Sequence, residues 1–494
     1  MGGLEDADYR TPLLHTQVSE PPLIRTDFRS KLMGVLTDAD DQTSLLHAQI
    51  SKPSLIRTGN VWTAVAHIIT GVIGSGALSV AWSMAQLGWI AGPLAMLFFP
   101  LINLTSAFLL CNCYRSPDPE YGLYRNRTYL EAVHNYLGNK NALVCGLFLQ
   151  VNLFGTAVVY TVTSAISLRA ILNSYCYPMD GMLGNCEYGD ASYMLLFGVV
   201  QILLSQLPNF HNLKWLSIVA AIMSFGYCFI GLGLGFAKVV GNVYIKGSIA
   251  GISTSTAAEK TLLVSQALGD ILFAYPYSII LIEIQDTLKS PPPENQTMKK
   301  ASIIAVAVTT FLYLCCGGFG YAAFGDETPG NLLTGFESYG PRWLINFAHA
   351  CIVLHLVGGY QIYCQPLFAN VEKWFAEVFP HSRFVKDNYT VRLPLLPVFT
   401  LNPLRLCFRT TYVVSTTGIA IIFPYFNQIL GVLGGVNFFP ISIYFPVKMY
   451  SKQTKLEAWT AKWLMLQIFS IVCLFITVFT SIGSIQGLIS KKLS

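Results

Sequence analysis

One apolar stretch of the chain carries ionisable residues that a membrane normally excludes. It covers residues 261–288 and is long enough to cross a bilayer. Asp270 lies well inside this stretch, and Glu283 and Asp286 lie toward its end. Carboxylates in lipid need a partner or a cavity, and they often mark substrate or proton pathways. Pro276, near the middle, frees backbone groups that other residues must satisfy. The pattern predicts a broken helix at a binding site.

A second apolar stretch, residues 60–87, is interrupted by Gly74, Ser75 and Gly76. This Gly-Ser-Gly sequence allows the backbone to leave helical geometry, which leaves unpaired N–H groups where the helix restarts. The amides of Ser75, Gly76 and Ala77 are therefore candidates to bind a carboxylate. Close packing of two helices explains the same small residues. Both interpretations are open at this point.

The composition predicts the element that positions these residues. Only 12% of the 494 residues are charged and 53% are hydrophobic, whereas roughly 25% of residues are charged in soluble domains. The net charge of +5 comes without a basic tract, so no nucleic-acid partner is predicted. The twelve cysteines include no CxxC motif, and no metal site is predicted. The chain is expected to be an all-α, polytopic membrane protein that contacts membrane lipid.

Hydropathy divides residues 60–490 into about eleven transmembrane helices. If the N-terminus is cytoplasmic, most lysines and arginines fall in cytoplasmic loops, which predicts a cytoplasmic N-terminus and an extracellular C-terminus. The predicted spans are 60–86, 90–113, 141–172, 191–208, 213–240, 261–288, 300–324, 342–372, 406–426, 428–447 and 459–488.

The two interrupted helices are the first and the sixth of these spans. Because they are five spans apart, they enter the membrane from opposite sides, as in a five-plus-five inverted repeat whose broken helices meet near the midplane. The eleventh span is then an extra helix outside the repeat. A membrane enzyme needs clustered catalytic residues, which the sequence lacks, and a channel does not need paired broken helices.

Two further features lie outside the predicted spans. Residues 1–59 contain an internal duplication, in which 8–27 realigns on 40–59, and are predicted to be a disordered cytoplasmic tail. A regulatory or sorting segment is the alternative for this tail. Cys176 and Cys186 fall in one predicted outer loop, where an oxidising environment permits a disulfide.

The residues around the two breaks resemble a known family, the plant amino acid permeases of the amino acid/auxin permease family. The resemblance runs from about Gly59 to the last span. It rests on GNVWTAVAHIITGVIGSGALSVAWSMAQLGWIAGP, NLFGTAVVYT, LSIVAAIMSF, QALGDILFAYPYSIILIEIQDTLKSPP, GYAAFGDETPGNLLTGF and HLVGGYQIYCQP.

This resemblance implies a plasma-membrane symporter, not an enzyme. It implies alternating-access uptake of neutral and acidic amino acids, with the proton as coupling ion. No cofactor and no obligate protein partner are implied. The runners-up are an auxin or narrow-range permease and a non-transporting amino acid sensor. The sequence departs from the family pattern in three places: Asn209 and His211 where acidic residues are usual, Pro276 where a small residue is usual, and the duplicated tail.

The predicted substrate site has an anion side and a cation side. Gly74 is a candidate substrate-binding residue, and Ser75, Gly76 and Ala77 are assigned to the substrate carboxylate. The carbonyl groups around Phe273, Ala274 and Tyr275 are assigned to its ammonium, because an amino acid presents one charge of each sign. Three polar residues of spans three and eight are candidate cavity residues, with interhelical hydrogen bonds as the alternative. They are Asn152, Tyr160 and Gln361.

Asp270 is the predicted proton-coupling residue, since a carboxyl group held away from water binds a proton more readily. His67 is the candidate relay residue, because histidine titrates near physiological pH. The alternative is a permanently paired structural carboxylate bonded to His67. Glu283 and Asp286 lie near the predicted cytoplasmic mouth and are candidate gate residues.

Overall fold

Backbone hydrogen bonding decides the architecture of this chain. No water in a bilayer core pairs with N–H and C=O groups, so a spanning apolar stretch must form helix. The computed structural model describes residues 57–176, 189–206, 214–242, 244–391 and 399–493. These ranges are dominated by α-helices and contain two small antiparallel hairpins. The fold is all-α, as predicted.

The first half of the described chain contains eight α-helical elements, and the second of them turns sharply at Gly88 (φ +82°), where two helices join. The eight elements are α1 (Val61–Val72), α2 (Gly76–Asn112), α3 (Tyr129–Leu137), α4 (Asn139–Cys176), α5 (Asp190–Ser205), α6 (Lys214–Gly241), α7 (Ala257–Ala274) and α8 (Ser278–Asp286). The hairpin strands β1 (Arg115–Ser116) and β2 (Tyr124–Arg125) lie between α2 and α3.

The second half continues with helices of mixed type. They are α9 (Glu294–Phe324), two 3-10 helices (Gly325–Glu327 and Leu332–Phe336), α10 (Arg342–Val378), α11 (Arg383–Lys386), α12 (Pro403–Ile422), α13 (Phe426–Asn437), a π-helical segment (Phe438–Tyr444), α14 (Phe445–Gln453) and α15 (Ala461–Leu493). The strands β3 (Tyr389–Val391) and β4 (Phe399–Leu401) pair between α11 and α12.

Eight helical stretches of the described chain are long and apolar enough to cross a membrane, and α1 and α5 are shorter apolar helices. Large side chains such as Leu101 and Phe475 are 61% and 72% exposed. Lipid accommodates such side chains. The structure does not describe residues 1–56, Cys186, Asn209 or His211. The predicted tail structure and the predicted disulfide therefore lie outside the described residues. The count of eleven spans and the inverted repeat stay predictions.

The core is formed by α2, α7, α9 and α13, which pack on one another near the interrupted segments. Helix α2 lies against α7 and α9, and α13 lies against α7 and α15. Helices α4, α6 and α10 complete this side of the bundle. The chain enters α1 through Gly59, whose backbone N–H and C=O bond to Thr287 and Lys289 after α8.

Candidate functional site

The two interrupted segments lie in direct contact. Helix α1 ends at Val72 and α2 begins at Gly76, while α7 ends at Ala274 and α8 begins at Ser278. A Cβ atom at Gly76 would lie 2.9 Å from both the Cα and the Cβ of Ala274. Only glycine permits this approach. The helix breaks are at the predicted positions, and they adjoin one another.

Tyrosine hydroxyls satisfy the carbonyl groups freed where α1 ends. Such carbonyls are costly in a membrane unless other groups bond to them. Three tyrosines, from α10, α9 and α6, each donate at 2.9 Å. The pairs are Tyr363 to Gly71, Tyr313 to Val72 and Tyr227 to Gly74. Tyrosines of neighbouring helices therefore stabilise the interruption between α1 and α2.

Backbone amides at the start of α2 are available to an anion. Ala77 N–H donates to the carbonyl of Gly74 at 3.2 Å, so its assignment to a substrate carboxylate is wrong. The N–H groups of Ser75 and Gly76 have no protein acceptor within the described part of the chain. Ser75 Oγ is buried, and it too has no partner there. These groups suit a carboxylate at a helix N-terminus.

Fewer backbone carbonyl groups are available at the second break than predicted. The carbonyl of Tyr275 accepts a hydrogen bond from Asn103 Nδ2 at 2.7 Å, and its hydroxyl donates to Met96 at 3.2 Å. Tyr275 is thus turned toward α2, and one of the two lone pairs of its carbonyl is already used. Ala274 accepts a longer bond of 3.4 Å from Tyr313. Of the three predicted residues, Phe273 keeps a carbonyl with no such side-chain donor among the described residues.

A narrow cavity of about 70 Å³ lies between the two breaks. It has room for several water molecules, and it is lined by residues from both halves of the chain. Asn152 and Tyr160 of α4 line it, as predicted. The other polar residues of its wall and the wall residues at the two breaks are Gly74, Ser75, Gly76, Thr156, Phe273, Ala274, Pro276, Tyr277, Ser278, Tyr363, Asn437 and Ser442. Among the described residues, the wall contains no charged side chain.

Gln361 does not reach this cavity. Its Nε2 atom donates to Gln201 Oε1 at 2.7 Å, on the side of α10 that faces α5. Tyr363, two residues further along, lines the cavity. Two residues turn a helix by about 200°, which puts these side chains on opposite faces. The interhelical hydrogen bond is the correct interpretation of Gln361.

Asp270 is fully buried and lies four residues before Ala274, on the last turns of α7. Its Oδ2 atom accepts a hydrogen bond of 2.9 Å from Asn427 of α13. Its Oδ1 atom has no partner among the described residues. The suggested bond to His67 is wrong, because His67 lies on the exposed side of α1. A helix with one buried face cannot present His67 both to lipid and to Asp270.

The candidate gate residues lie outside the cavity wall. The Glu283 carboxylate lies close to the backbone N–H of Tyr129, the first residue of α3. The Tyr129 hydroxyl donates to the carbonyl of Ile441, which lines the cavity. Asp286 accepts from the Tyr114 hydroxyl at 2.7 Å and lies 3.9 Å from Arg125. Burial and the nearby Asp286 raise the pKa of Tyr114, so its hydroxyl stays protonated and donates.

An ion cluster beside these residues was not predicted. Glu294, fully buried, accepts from Arg57 Nη1 at 2.5 Å and from Arg115 Nε and Nη2 at 2.8 and 2.7 Å. The hydrogen bond to Glu294 raises the pKa of Arg115. The three residues are far apart in the sequence, and no motif marks them. They tie the segment before α1 to the start of α9.

Comparisons with known proteins agree with this architecture. A family model described as transmembrane amino acid transporter protein matches residues 57–490. Probable amino acid permease 7 of Arabidopsis thaliana is 56% identical over 439 residues, covering 88% of this chain and 94% of that protein. Amino acid permease 3 of Arabidopsis thaliana is 51% identical and covers 87% of this chain and 91% of its own length. Lysine histidine transporter-like 6 of Arabidopsis thaliana is 29% identical, with coverages of 87% and 91%.

Proposed function

Because the chain belongs to the transmembrane amino acid transporter family, we propose that it takes up neutral and acidic amino acids together with protons. The predicted resemblance to plant amino acid permeases is confirmed. The chain is an integral membrane protein and a transporter by family, not an enzyme. The names of its relatives support amino acids as the transported class.

The contact between the two helix breaks is the observation that carries this proposal. Ser75 and Gly76, whose amides have no protein acceptor among the described residues, line the cavity together with Phe273. A helix N-terminus favours an anion and a helix C-terminus favours a cation. A zwitterion matches both ends. The uncharged wall supports neutral side chains more directly than acidic ones.

Asp270 is the proposed proton carrier. It is buried one turn from the substrate break, and one of its oxygens has no protein partner within the described residues. A carboxyl group in such a place is costly when charged, so its protonation state is coupled to nearby changes in charge or solvation. Asn427 also lies 3.4 Å from the carbonyl of Gly330, in a predicted outer loop. We infer that the proton enters from this side.

Alternating access requires that each side of the cavity opens in turn. Tyr129 lies between Glu283 and Ile441, and the Glu294 cluster lies beside it. Both sets of contacts are on the predicted cytoplasmic side. We propose that they hold this side closed and that their release admits the substrate to the cytosol. The proposed cellular location is the plasma membrane, with the N-terminus in the cytoplasm and the C-terminus outside the cell.

Membrane currents in a heterologous cell test the proposal. Wild type, Asp270→Asn and the control Asp326→Asn, which makes the same change at an exposed position, are compared at two outside pH values with a panel of amino acids. Wild type and the control are expected to give inward currents that grow as the outside pH falls. Asp270→Asn is expected to lose that pH dependence.

The other outcomes separate the alternatives. An Asp270→Asn protein at the surface with a fully pH-dependent current contradicts the proton assignment. Signalling without amino-acid flux in wild type indicates a sensor. Currents with auxin or with one amino acid alone indicate a narrow-range permease.

A further inference from the structure

Asn437 presents a buried hydrogen-bond acceptor at the proposed substrate site. It is the last residue of α13, lines the cavity and is 3% exposed. Its Nδ2 atom donates to the carbonyl of Leu433 at 3.1 Å. Because that neighbour is an acceptor, the amide nitrogen must face it and Oδ1 must point away. Oδ1 is buried and has no donor among the described residues.

The position of α13 puts this oxygen beside the break after α7. A Cβ atom at Gly434 would lie 2.0 Å from the carbonyl oxygen of Gly269 and 2.7 Å from the backbone nitrogen of Phe273. The two backbones therefore touch at the last turn of α7. Asn437 is three residues beyond Gly434, on the same face of α13. Its side chain thus continues from this contact toward the cavity that it lines.

Two of the three predicted carbonyl groups at this end of the cavity already receive hydrogen bonds from protein side chains. An ammonium group has three N–H donors. The Tyr275 carbonyl accepts a hydrogen bond from Asn103, and the Ala274 carbonyl shares the single Tyr313 hydroxyl proton with Val72, at the longer distance of 3.4 Å. Phe273 is the residue of the predicted set whose carbonyl has no side-chain donor among the described residues. A buried acceptor without a donor is costly, and a bound ammonium removes that cost.

We propose that Asn437 Oδ1 accepts a hydrogen bond from the ammonium group of the amino acid substrate. The inference rests on the proposed function, since it requires that an amino acid occupies the cavity. It makes Asn437 a positioning residue for every substrate, because all amino acids share the ammonium. The π-helical segment that begins at Phe438 also lines the cavity through Ile441 and Ser442. π-helical turns are frequent at functional sites.

Two variants of nearly equal size separate this role from a structural one. Asn437→Leu removes the acceptor and the bond to Leu433. Asn437→Asp removes the donor to Leu433 but keeps an acceptor oxygen. The measurement is the KM for uptake of alanine, leucine and glutamine, with surface protein quantified for each variant. Asn437→Leu is expected to raise KM by about tenfold or more for each amino acid, whereas Asn437→Asp stays near wild type.

Three results overturn the inference. An Asn437→Asp protein as impaired as Asn437→Leu shows that the bond to Leu433 is what matters. A change in KM that differs between alanine and glutamine shows contact with the substrate side chain. An unchanged KM in Asn437→Leu shows no role in binding. If Asn437→Leu does not reach the surface, Asn437→Ala replaces it. Loss of binding by Asn437→Asp still shows, in that case, that the bond to Leu433 is what matters. Absence of amino acid uptake by wild type rejects the proposed function itself.

Discussion

At the scale of single residues, the site depends on a position where a side chain does not fit and on polar atoms without a hydrogen-bond partner. Gly76 allows the start of α2 to touch Ala274, and a methyl group there would overlap the Ala274 backbone. The Ser75 and Gly76 amides remain without protein acceptors in the described structure. In the proposed mode of binding, a substrate carboxylate accepts from both amides, which requires that the two breaks stay in contact.

Gly76→Ala is expected to separate α2 from α7 and to reduce amino acid uptake by at least about tenfold, a loss of about 1.4 kcal/mol in transition-state binding. Gly318→Ala is the matched control, because a Cβ atom there meets nothing within 4 Å. The control is expected to transport like wild type. Uptake rates normalised to surface protein check both variants. Normal uptake by Gly76→Ala contradicts the proposed contact.

At the scale of elements, the end of α1 is stable because its neighbours supply hydrogen bonds. The three tyrosines of α6, α9 and α10 pair with carbonyls that the interrupted helix cannot satisfy. One of the three, Tyr313, also lies 3.4 Å from the carbonyl of Ala274 at the second break. The break after α1 thus depends on hydrogen bonds from several neighbouring helices.

Tyr313→Phe is expected to leave the carbonyl of Val72 buried without a donor. The expected loss of stability is about 1–3 kcal/mol, seen as a lower melting temperature of the detergent-solubilised protein. Tyr121→Phe is the control, since Tyr121 is 76% exposed. It is expected to melt like wild type. Equal melting of both variants means that water or backbone movement replaces the tyrosine hydroxyl.

Glu294→Gln is expected to weaken the connection between the segment before α1 and α9. The change removes the negative charge that Arg57 and Arg115 share, at a cost of about 1–3 kcal/mol, because both arginines are partly exposed to solvent. The melting temperature is expected to fall, while the exposed control Glu457→Gln has no effect.

A double-mutant cycle with Arg57→Ala measures the coupling directly. The two changes are expected to be less than additive, because each removes the same interaction. Strict additivity means that Arg57 and Glu294 contribute independently.

At the scale of the whole molecule, the termini report the number of crossings. An odd number of spans puts them on opposite sides, and the excess of basic residues in alternate loops predicts a cytoplasmic N-terminus. Tags on each terminus of the full chain are checked with impermeant antibodies on intact cells. The C-terminal tag is expected to be labelled, and the N-terminal tag only after permeabilisation. Both tags on one side contradict the predicted eleven spans.

Local chemistry made part of this protein predictable. Glycine at 74 and 76, and proline at 276, interrupt helices wherever the helices pack, so both breaks were visible in the sequence. The apolar composition likewise determined an all-α membrane fold, because backbone groups in lipid must bond within the chain. These inferences need only neighbouring residues and the solvent.

Long-range packing decided the rest. Asn427 pairs with Asp270 across 157 positions, and Arg57 pairs with Glu294 across 237. Gln361 faces α5 while Tyr363 faces the cavity, a choice that depends on how α10 is rotated against its neighbours. The sequence by itself determined where helices break and that lipid surrounds them. Only the tertiary structure decided which side chains meet, because helix rotation is set by the packing of the whole bundle.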